Sequence, residues 1–419
     1  MRNEKMKKTI KRVVAVVAFL ALLVLCTCYI MHTVKDKNNY YKYVSFYEEE
    51  ESFDVFFFGS SRILDAVYPM ELWNEYGITS YNMAQHSEGI KTSYWQMKNA
   101  FAHNAPKVAV VDLSLLNLDV ITDENEDMKS YLHKSLDHMP FSKIKYEALV
   151  DLTEGVDLWE YLFPYAMYHN RWNQLEKVDF YLEWPCRKGA ESRVDVYAME
   201  KVEWCTEDVA KEVDTESLYI DKIIRLCEEY DVQPVFTLMP TVLVSADYDS
   251  CTRMNALACY FEEKGIPFVN FAKEDGMINY EVDFHDISHL NPSGGKKLTK
   301  ALGEILVEEF EFPQKSEKTI AAWNEADYMG AKLGELISEQ NSGDLLHYLL
   351  LLNDDDYTFE IKIPEAGYLE GLGVDAMLEE LGVTEEDCII DAAIEGVEIT
   401  VYRCDWESVF HVAKFQIHS

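Results

Sequence analysis

Short, largely apolar segments recur along the chain from residue 55 onward and predict a set of buried strands. These segments are Val55–Phe58, Thr79–Met83, Val108–Leu113, Val235–Met239 and Phe268–Phe271. Helical patterns alternate with them at Ile90–Ala102, Ser217–Tyr230, Ser250–Lys264 and Gly295–Phe310. Strands that alternate with helices and have no polar face are typical of a parallel sheet covered by helices on both sides. The sequence therefore predicts a three-layer α/β domain, which we assign to residues 53–312.

Two regions depart from this alternation. Residues 120–215 are long, aromatic and irregular, as in "FPYAMYHNRWNQLEKVDFYLEW". Because a structureless loop of that length is uncommon between two strands, we expect an inserted helical cap over the site. Residues 313–419 contain four apolar runs and a helical pattern, which predict a separate C-terminal α+β module. No motif in this module indicates a function.

The N-terminus predicts a membrane anchor. A basic start is followed by Val13–Met31, a run of 19 residues without a charge. As a helix this run would span about 28 Å, close to the ~30 Å hydrocarbon layer of a bilayer. The positive-inside rule then predicts that residues 1–37 form a cytoplasmic stub and a transmembrane helix, with the main domains outside the cell membrane. A cleaved signal peptide is the alternative, but Cys26-Thr27-Cys28 is a poor cleavage site. The polar and aromatic residues 38–52 are predicted to be a juxtamembrane linker.

The charge balance argues against nucleic-acid binding. The chain has 38 Lys and Arg residues against 75 Asp and Glu residues, a formal net charge of −37. Phosphate binding requires clustered basic side chains, which such a surface does not offer. The nine cysteines show no C-x-x-C spacing of the kind that binds zinc. We predict neither a metal nor a cofactor, and the pairing of cysteines, for example Cys186 with Cys205, stays open.

A first candidate for catalysis lies where the first predicted strand ends. The stretch "DVFFFGSSR" places Gly59, Ser60 and Ser61 directly after Phe58. Ligands bind beyond the carboxyl ends of the strands in parallel sheets, and a glycine permits a sharp turn there. One of these serines could sit at the start of the next helix as a nucleophile, although a serine requires a nearby base. The alternative is that these serines only cap the helix.

The stretch "VDFHDISHLNPSGGKK" could supply that base. Asp286 and His289 are three residues apart, just before a helix that Ser293 is predicted to cap. In a turn the two side chains can face the same way, so that the carboxylate accepts the imidazole Nδ1–H and Nε2 takes the serine proton. A solvated loop is one alternative. A metal site that includes Asp283 and His285 is another, but it would leave the serine unexplained.

Together these two stretches resemble the SGNH (GDSL-like) family of serine hydrolases. The nucleophile block of that family matches GSS, and its final D-x-x-H block matches DISH, in the same order along the chain. The resemblance covers the predicted α/β domain and implies a flavodoxin-like parallel sheet. It also implies that Ser61 is the nucleophile, His289 the base and Asp286 the group that orients the base.

The same resemblance implies an oxyanion hole. "SYNMAQHSEGIKTSYW", residues 80–95, looks like the second block of the family, so the donors would be the backbone N–H groups of Ser61 and Ser87, with Gly89 as the other candidate in that block. The third block, G-x-N-D, is not evident, and Asn117 is the amide nearest to its expected place. Ser60 also stands where the family usually has Asp.

Two stretches look specifically like the membrane-anchored branch found with cell-envelope glycopolymer acylation systems. They are "FPYAMYHNRW" and "DFHDISHLNPSGGKK". This likeness implies an extracytoplasmic esterase or O-acyltransferase that acts on acylated glycopolymers, with a multi-spanning membrane acyltransferase as a further partner. His169, Arg171 and Trp172 could bind the sugar or an anionic polymer, and ordinary surface packing is the alternative for them. A non-catalytic binding or partner subunit is the alternative function.

Overall fold

The computed structural model describes residues 2–35, 37, 40–49, 52–116, 126–155, 158–180, 187–325, 344–354, 357–404 and 409–416. The strands in these ranges are β1 (Val55–Phe58), β2 (Ser80–Asn82), β3 (Val108–Asp112), β4 (Gln233–Leu238), β5 (Phe268–Asn270), β6 (Tyr357–Ile363), β7 (Ile389–Ile390), β8 (Val397–Arg403) and β9 (Val409–Phe415).

The helices are α1 (Arg2–Val34), α2 (Tyr40–Glu48), α3 (Ser61–Leu64), α4 (Pro69–Tyr76), α5 (Ile90–His103), α6 (Glu126–Leu136), α7 (Lys143–Leu152), α8 (Leu158–Leu162), α9 (Tyr165–Tyr168), α10 (Ile220–Tyr230), α11 (Val242–Ser245), α12 (Tyr248–Lys264), α13 (Pro292–Glu309), α14 (Glu317–Glu325), α15 (Leu345–Leu351) and α16 (Asp375–Glu380). Short 3₁₀ turns span His169–Asn173, Lys177–Asp179 and Glu385–Asp387.

Five parallel strands form the sheet of the main domain, in the order β2-β1-β3-β4-β5. Each of them overlaps one of the five predicted apolar segments, so the predicted parallel sheet is confirmed. This order is one of the two common orders of doubly wound α/β sheets. The carboxyl ends of all five strands therefore meet at one edge, which is where such sheets bind ligands.

Helices cover both faces of this sheet. Phe56 and Phe58 pack into one core with α2, α5, α10 and α12, whereas Val55 and Phe57 pack into a second core with α4 and α13. All four side chains of β1 are fully buried. Burial on both faces explains why the strands show no alternation of apolar and polar residues.

The segment predicted to be a juxtamembrane linker is instead a helix of the main domain. α2 lies within it, and Tyr43 and Phe46 on one side of α2 are buried in the same core as Phe56. Phe46 meets the ring of Phe56 edge-on, with centroids 5.4 Å apart. The prediction of a linker at 38–52 was wrong because the polar residues between the aromatic positions concealed the apolar face of a short helix.

The insertion is helical only in its first part, where α6 to α9 lie. Residues 187–212 form no helix and run in an irregular extended path, here called the extended segment. Its backbone bonds to residues distant in the sequence: Tyr197 N donates to Phe284 O (2.8 Å) and Cys205 N donates to Ser245 O (3.0 Å). The prediction of a helical cap over 120–215 is therefore corrected for this segment, because its backbone groups find partners outside the insertion.

The main domain extends beyond the predicted boundary at residue 313. Trp323 of α14 is buried against Trp73, with ring centroids 5.4 Å apart. Trp73 Nε1 donates to Asn324 Oδ1 (2.9 Å), and Lys315 pairs with Asp54. The segment expected to be a connection therefore completes the first core, so the change of composition after residue 312 marks no structural boundary.

The C-terminal module has a sheet of its own. Its strand order is β7-β6-β8-β9, with β6 parallel to β7 and antiparallel to β8. This second sheet confirms the predicted α+β character. The module meets the main domain beside the D-x-x-H loop, where Lys296 pairs with Asp354 (2.8 Å) and Lys297 pairs with both Asp283 (2.7 Å) and Glu380.

α1 is long and apolar enough to cross a membrane. The most apolar window within Met6–Val34 has a mean hydropathy of 2.9 and is not covered by other parts of the described structure. By length and composition it is the one such helix within the described ranges. The orientation of α1 in a membrane stays a prediction.

Candidate active site

The turn after β1 places Ser61 at the carboxyl edge of the sheet, as the first residue of α3. Gly59 has φ +138°, and a Cβ there would lie 2.8 Å from Asp112 Cβ at the end of β3. Only glycine therefore permits this turn beside its neighbouring strand. Ser60 is the N-cap of α3, since its Oγ accepts from Arg62 N (3.3 Å). The two serines thus differ: Ser60 caps the helix, and Ser61 projects toward the D-x-x-H loop.

The D-x-x-H loop is a tight turn closed at its base. An isolated bridge joins Phe284 to Leu290, and His285 N donates to His289 O (3.0 Å). Asp286 Oδ1 accepts from the backbone N–H of Ser288 (2.8 Å) and of His289 (3.0 Å). The carboxylate thereby fixes the turn and faces the imidazole three residues later.

α13 begins directly after this loop, but its cap differs from the prediction. Asn291 is the N-cap, because its Oδ1 accepts from the N–H groups of Ser293 (3.1 Å) and Gly294 (3.3 Å). Ser293 Oγ instead donates to Asp283 Oδ1 (2.7 Å). Sequence reasoning chose the wrong polar residue because Asn and Ser are equally good caps two positions apart. A Cβ at Gly294 would collide with the backbone of Asp283, so the glycine lets α13 lie against the loop.

The three predicted catalytic side chains form one hydrogen-bonded chain. Ser61 Oγ lies 2.7 Å from His289 Nε2. On the other side of the ring, His289 Nδ1 lies 2.8 Å from both Asp286 Oδ1 and Oδ2. These distances are within the range for a nucleophile, its base and the group that orients the base. The fold thus brings together residues that are separated by 228 positions.

The charges suit a base at His289. Burial lowers the pKa of His289 below its ordinary value, although the Asp286 carboxylate acts in the opposite direction. Burial by itself would raise the pKa of Asp286, but hydrogen bonds from Ser288 N–H and from His289 lower that pKa below its ordinary value. At pH 7 the carboxylate is therefore ionised and the ring neutral, with Nδ1–H toward Asp286 and the Nε2 lone pair toward Ser61.

The candidate oxyanion donors are backbone N–H groups in the turns that follow β1 and β2. Ser61 N is at the start of α3, and Ser87 is in the turn after β2 with φ +52°. Among the residues that the structure describes, neither backbone N–H donates a hydrogen bond to a backbone carbonyl. Gly89, the other candidate, is the N-cap of α5. Asn117 lies outside the described residues.

Asn82 is a positioning residue whose role sequence reasoning did not define. Its Nδ2 donates to the carbonyl groups of Ile63 and Val67, both at 3.0 Å. Its Oδ1 accepts from Ala84 N (3.2 Å). Asn82 thus joins the nucleophile helix to the loop that carries Ser87. Its place at the end of a buried strand, where an amide must find partners, was the signal that could have revealed it.

A second histidine, His285, lies beside the triad, and sequence reasoning did not predict this position. The His285 ring is nearly parallel to that of His289, with centroids 5.2 Å apart and an interplanar angle of 6°. His285 Nε2 lies 3.4 Å from Asp65 Oδ2, and its Nδ1 lies 3.5 Å from Asp286 Oδ2. His285 therefore connects a fully buried carboxylate to the carboxylate of the triad.

The same residues have the donor atoms for a metal ion. The ligand atoms of His285, Asp286 and His289 lie within 4.8 Å of one another. Asp283, which the metal hypothesis also included, instead bonds Ser293 and pairs with Lys297. A metal on this trio would take Asp286 away from His289 Nδ1, so metal binding and triad chemistry exclude each other here.

The predicted substrate-binding residues lie in the 3₁₀ turn His169–Asn173 of the insertion. Arg171 forms a two-pronged pair with Asp179, at 2.8 and 3.1 Å, and its Nη1 donates to the backbone O of Lys35 (2.9 Å). These contacts favour the packing alternative for Arg171. His169 and Trp172 are exposed, and within the described chain none of the three is hydrogen-bonded to the triad. Their binding role stays a prediction.

No protein-family model matches the chain, and no curated protein matches it either. Among solved structures, it is similar to the crystal structure of a candidate acylhydrolase from Bacteroides fragilis, with 9% identity and a TM-score of 0.32. The alignment covers 66% of this chain and 99% of that one. A TM-score this low carries no weight for the fold or the function of the present chain, and both rest on its own geometry.

Proposed function

We propose that this protein is a membrane-anchored serine esterase or O-acyltransferase of the SGNH type. The observation that carries the proposal is the hydrogen-bonded chain from Ser61 Oγ through His289 to Asp286, with distances of 2.7 and 2.8 Å. Two features of the fold support it. The strand order is that of flavodoxin-like sheets, and Ser61 follows the carboxyl end of β1, where such sheets bind their ligands.

The reaction would begin with attack of Ser61 Oγ on the carbonyl carbon of an ester. His289 Nε2 takes the hydroxyl proton as the new C–O bond forms, and Asp286 stabilises the resulting imidazolium. The backbone N–H groups of Ser61 and Ser87 would then hold the oxyanion, because neither donates to a backbone carbonyl among the described residues. Collapse of the tetrahedral intermediate breaks the ester bond, and His289 returns its proton to the departing alkoxide.

The acyl group would next leave the enzyme by the same steps in reverse. His289 removes a proton from water or from a sugar hydroxyl, which attacks the acyl carbon and releases Ser61. The protein acts as an esterase if the acyl acceptor is water and as an O-acyltransferase if the acceptor is a sugar hydroxyl. The outcome depends on how far the site excludes water once the polymer is bound.

An envelope glycopolymer is the proposed substrate. The likeness of residues 163–172 and 283–297 to the membrane-anchored branch supports this choice, as does a chain that begins with one helix apolar enough to cross a membrane. A multi-spanning membrane acyltransferase is the proposed partner that would supply or receive acyl groups. Release of acetate from acetylated envelope polymer tests the substrate separately from the chemistry.

Hydrolysis of a short p-nitrophenyl ester by the full-length protein in detergent tests the chemistry. Ser61→Ala should lower the rate by about 10⁴-fold or more, because the nucleophile and base act as one unit. Ser217→Ala, which removes an exposed hydroxyl far along the chain, should leave the rate unchanged. Equal rates for Ser61→Ala and its parent would refute the assignment.

Labelling by a fluorophosphonate probe separates the enzyme from a non-catalytic partner subunit. A serine with a competent base reacts with this probe, and Ser61→Ala should abolish the label. If the parent protein does not react while it still binds acylated polymer, the site is a binding site and the enzyme proposal fails.

A further inference from the structure

Exposed aromatic side chains are concentrated in one part of the protein. In the described chain, the exposed Trp and Phe residues outside α1 all lie between residues 141 and 180 of the insertion. We call them the aromatic patch, and they are Phe141, Trp159, Phe163, Trp172 and Phe180. Trp159 and Trp172 are 73% and 69% exposed, far more than tryptophans that only pack on a core. Large apolar groups left in water within one stretch of the chain indicate a surface that meets another apolar phase.

The aromatic patch is attached to the end of α1. Arg171 Nη1 donates to the backbone carbonyls of Val34 (3.2 Å) and Lys35 (2.9 Å), so it caps the C-terminus of α1. Lys35 Nζ in turn donates to Asp137 O (3.1 Å). α1 also contacts α9 and the 3₁₀ turn that follows it.

Each of these attachment points has a member of the patch close by in the sequence. Trp172 follows Arg171, and Phe180 follows the Asp179 carboxylate that holds Arg171. Consecutive Cα atoms are about 3.8 Å apart, so these aromatic residues lie within a few ångströms of the point where α1 ends. Trp172 and Phe180 therefore lie at the level of the last turn of α1.

That level corresponds to the surface of a membrane. The uncharged run of α1 ends at Met31, and Val34 lies three residues further, or about 4.5 Å along the helix axis. If α1 spans the hydrocarbon layer, Arg171, Trp172 and Phe180 lie at the depth of the lipid headgroups. Tryptophan prefers this depth because it has a large apolar ring and one N–H donor.

The charge of the insertion shows what would hold it there. Residues 126–180 contain ten Asp and Glu residues and six Lys and Arg residues. Such a segment gains nothing from electrostatic attraction to anionic lipids. Contact with lipid would therefore depend on burial of the aromatic rings and would be insensitive to salt.

We propose that the aromatic patch is a membrane-contact surface that rests in the outer headgroup layer of the membrane that α1 crosses. The occupant is lipid, and it is the same bilayer as that of the anchor. This inference rests on the membrane anchor of the proposed function, but it requires nothing of the triad. In this proposal, the insertion holds the main domain against the bilayer.

Tryptophan quenching by spin-labelled lipid tests this proposal, since α1 itself contains no tryptophan. Full-length protein is reconstituted into zwitterionic vesicles that contain lipids with a doxyl label near the headgroup. We expect clear quenching in the parent, loss of most of it in the double variant W159F/W172F, and no loss in Trp204→Phe, which replaces a half-buried ring packed on the first core. High salt should leave the quenching unchanged.

The outcomes are distinct. Equal quenching in the parent and the double variant would overturn the proposal, as would an absence of quenching in protein that co-floats with the vesicles, which would assign the patch to a protein partner. Protein that fails to co-float would overturn the membrane anchor and with it this inference. Ser61→Ala should be quenched like the parent, so a failure of the enzyme proposal cannot be mistaken for a failure of this one.

Discussion

His289 lies between an ionised carboxylate and a hydroxyl, and its surroundings set when it can work as a base. Burial lowers its pKa, and the Asp286 carboxylate partly offsets that effect. A histidine with a lowered pKa keeps its neutral ring as the pH falls through 6.5, its ordinary value. We therefore expect kcat/KM to hold constant to below pH 6.5 and to fall only at lower pH, which a pH profile with a short-chain ester measures.

Asp286→Asn gives a second prediction about the same ring. The asparagine keeps an oxygen for the N–H groups of Ser288 and His289, so the loop should still form. It cannot hold the Nδ1–H tautomer by charge, and kcat should fall by about 10⁴-fold. Because Asp286 raises the pKa of His289, its loss should also move the acid limb to lower pH.

Asp249→Asn is the matched control, since Asp249 lies on the first turn of α12, outside the D-x-x-H loop and the turn that carries Ser61. Its rate and pH profile should equal those of the parent. An Asp286→Asn variant with parental kcat would show that the carboxylate does not orient the base.

Ser61, His289 and Asp286 could be predicted because each lies in a short local pattern that reports its own surroundings. A glycine after an apolar run predicts the turn, and an i, i+3 pair predicts a shared direction. The contacts of Asn82 and of His285 with Asp65 could not be predicted, because they join elements whose distance is decided only by tertiary packing. The prediction of the α13 cap was wrong for a simpler reason, because two suitable side chains lie two positions apart.

α2 contacts the loop that carries Ser87. Lys42 of α2 is buried, and its Nζ donates to the carbonyl of Ala84. Burial lowers the pKa of Lys42 to about 8 and raises the pKa of the buried Glu88 to about 8, while each of the two charges favours the other. Glu191 favours the charged form of Lys42 more than Glu88 does, so Lys42 and Glu88 influence each other beneath the loop without a direct ion pair among the described contacts.

Lys42→Met should destabilise the fold and lower the activity of the parent. Loss of Lys42 leaves the buried carbonyl of Ala84 without its donor, at a cost of about 1–3 kcal/mol. Because the two groups favour each other's charged forms, Glu88→Gln should cost less in the Lys42→Met background than in the parent. Thermal or urea unfolding of the parent, both single variants and the double variant gives the coupling energy. Additive effects would show that the two groups do not interact.

α2 and the extended segment mark the limit of prediction from local pattern. The strands of the first sheet and α5, α10, α12 and α13 follow directly from runs that are apolar or of helical period. α2 is too short for its helical period to be recognised easily, and tyrosines conceal its apolar face. The extended segment has no period at all, because its hydrogen bonds go to distant residues such as Phe284 and Ser245.

The main domain and the C-terminal module meet beside the D-x-x-H loop. Val282, next to that loop, is buried in the core of the C-terminal module. Lys297 of α13 contacts Asp283 in the main domain and Glu380 in the module. The module therefore supports the loop that holds His289, even though no motif in it indicates a function of its own.

Two truncations separate this support from the first core. A chain that ends at residue 325 loses the module but keeps Trp323, whereas a chain that ends at residue 312 also loses Trp323 and the pair between Lys315 and Asp54. We expect the shorter chain to be less stable than the longer one by about 3–5 kcal/mol, the usual cost of losing a buried tryptophan. Chemical unfolding of both chains measures this difference. Equal stabilities would mean that α14 is not part of the main core.

The capping of α1 by Arg171 and the burial of α2 also set how far the catalytic group can travel. A domain on a flexible tether samples a volume that grows with the tether, and its target can lie anywhere within that radius. Both ends of the connection are fixed to the globular part, so under the proposed anchoring Ser61 would stay at one height above the lipid. Under the proposed function, polymer that grows from the membrane would then meet the serine at a high local concentration, and polymer deeper in the wall would stay beyond its reach.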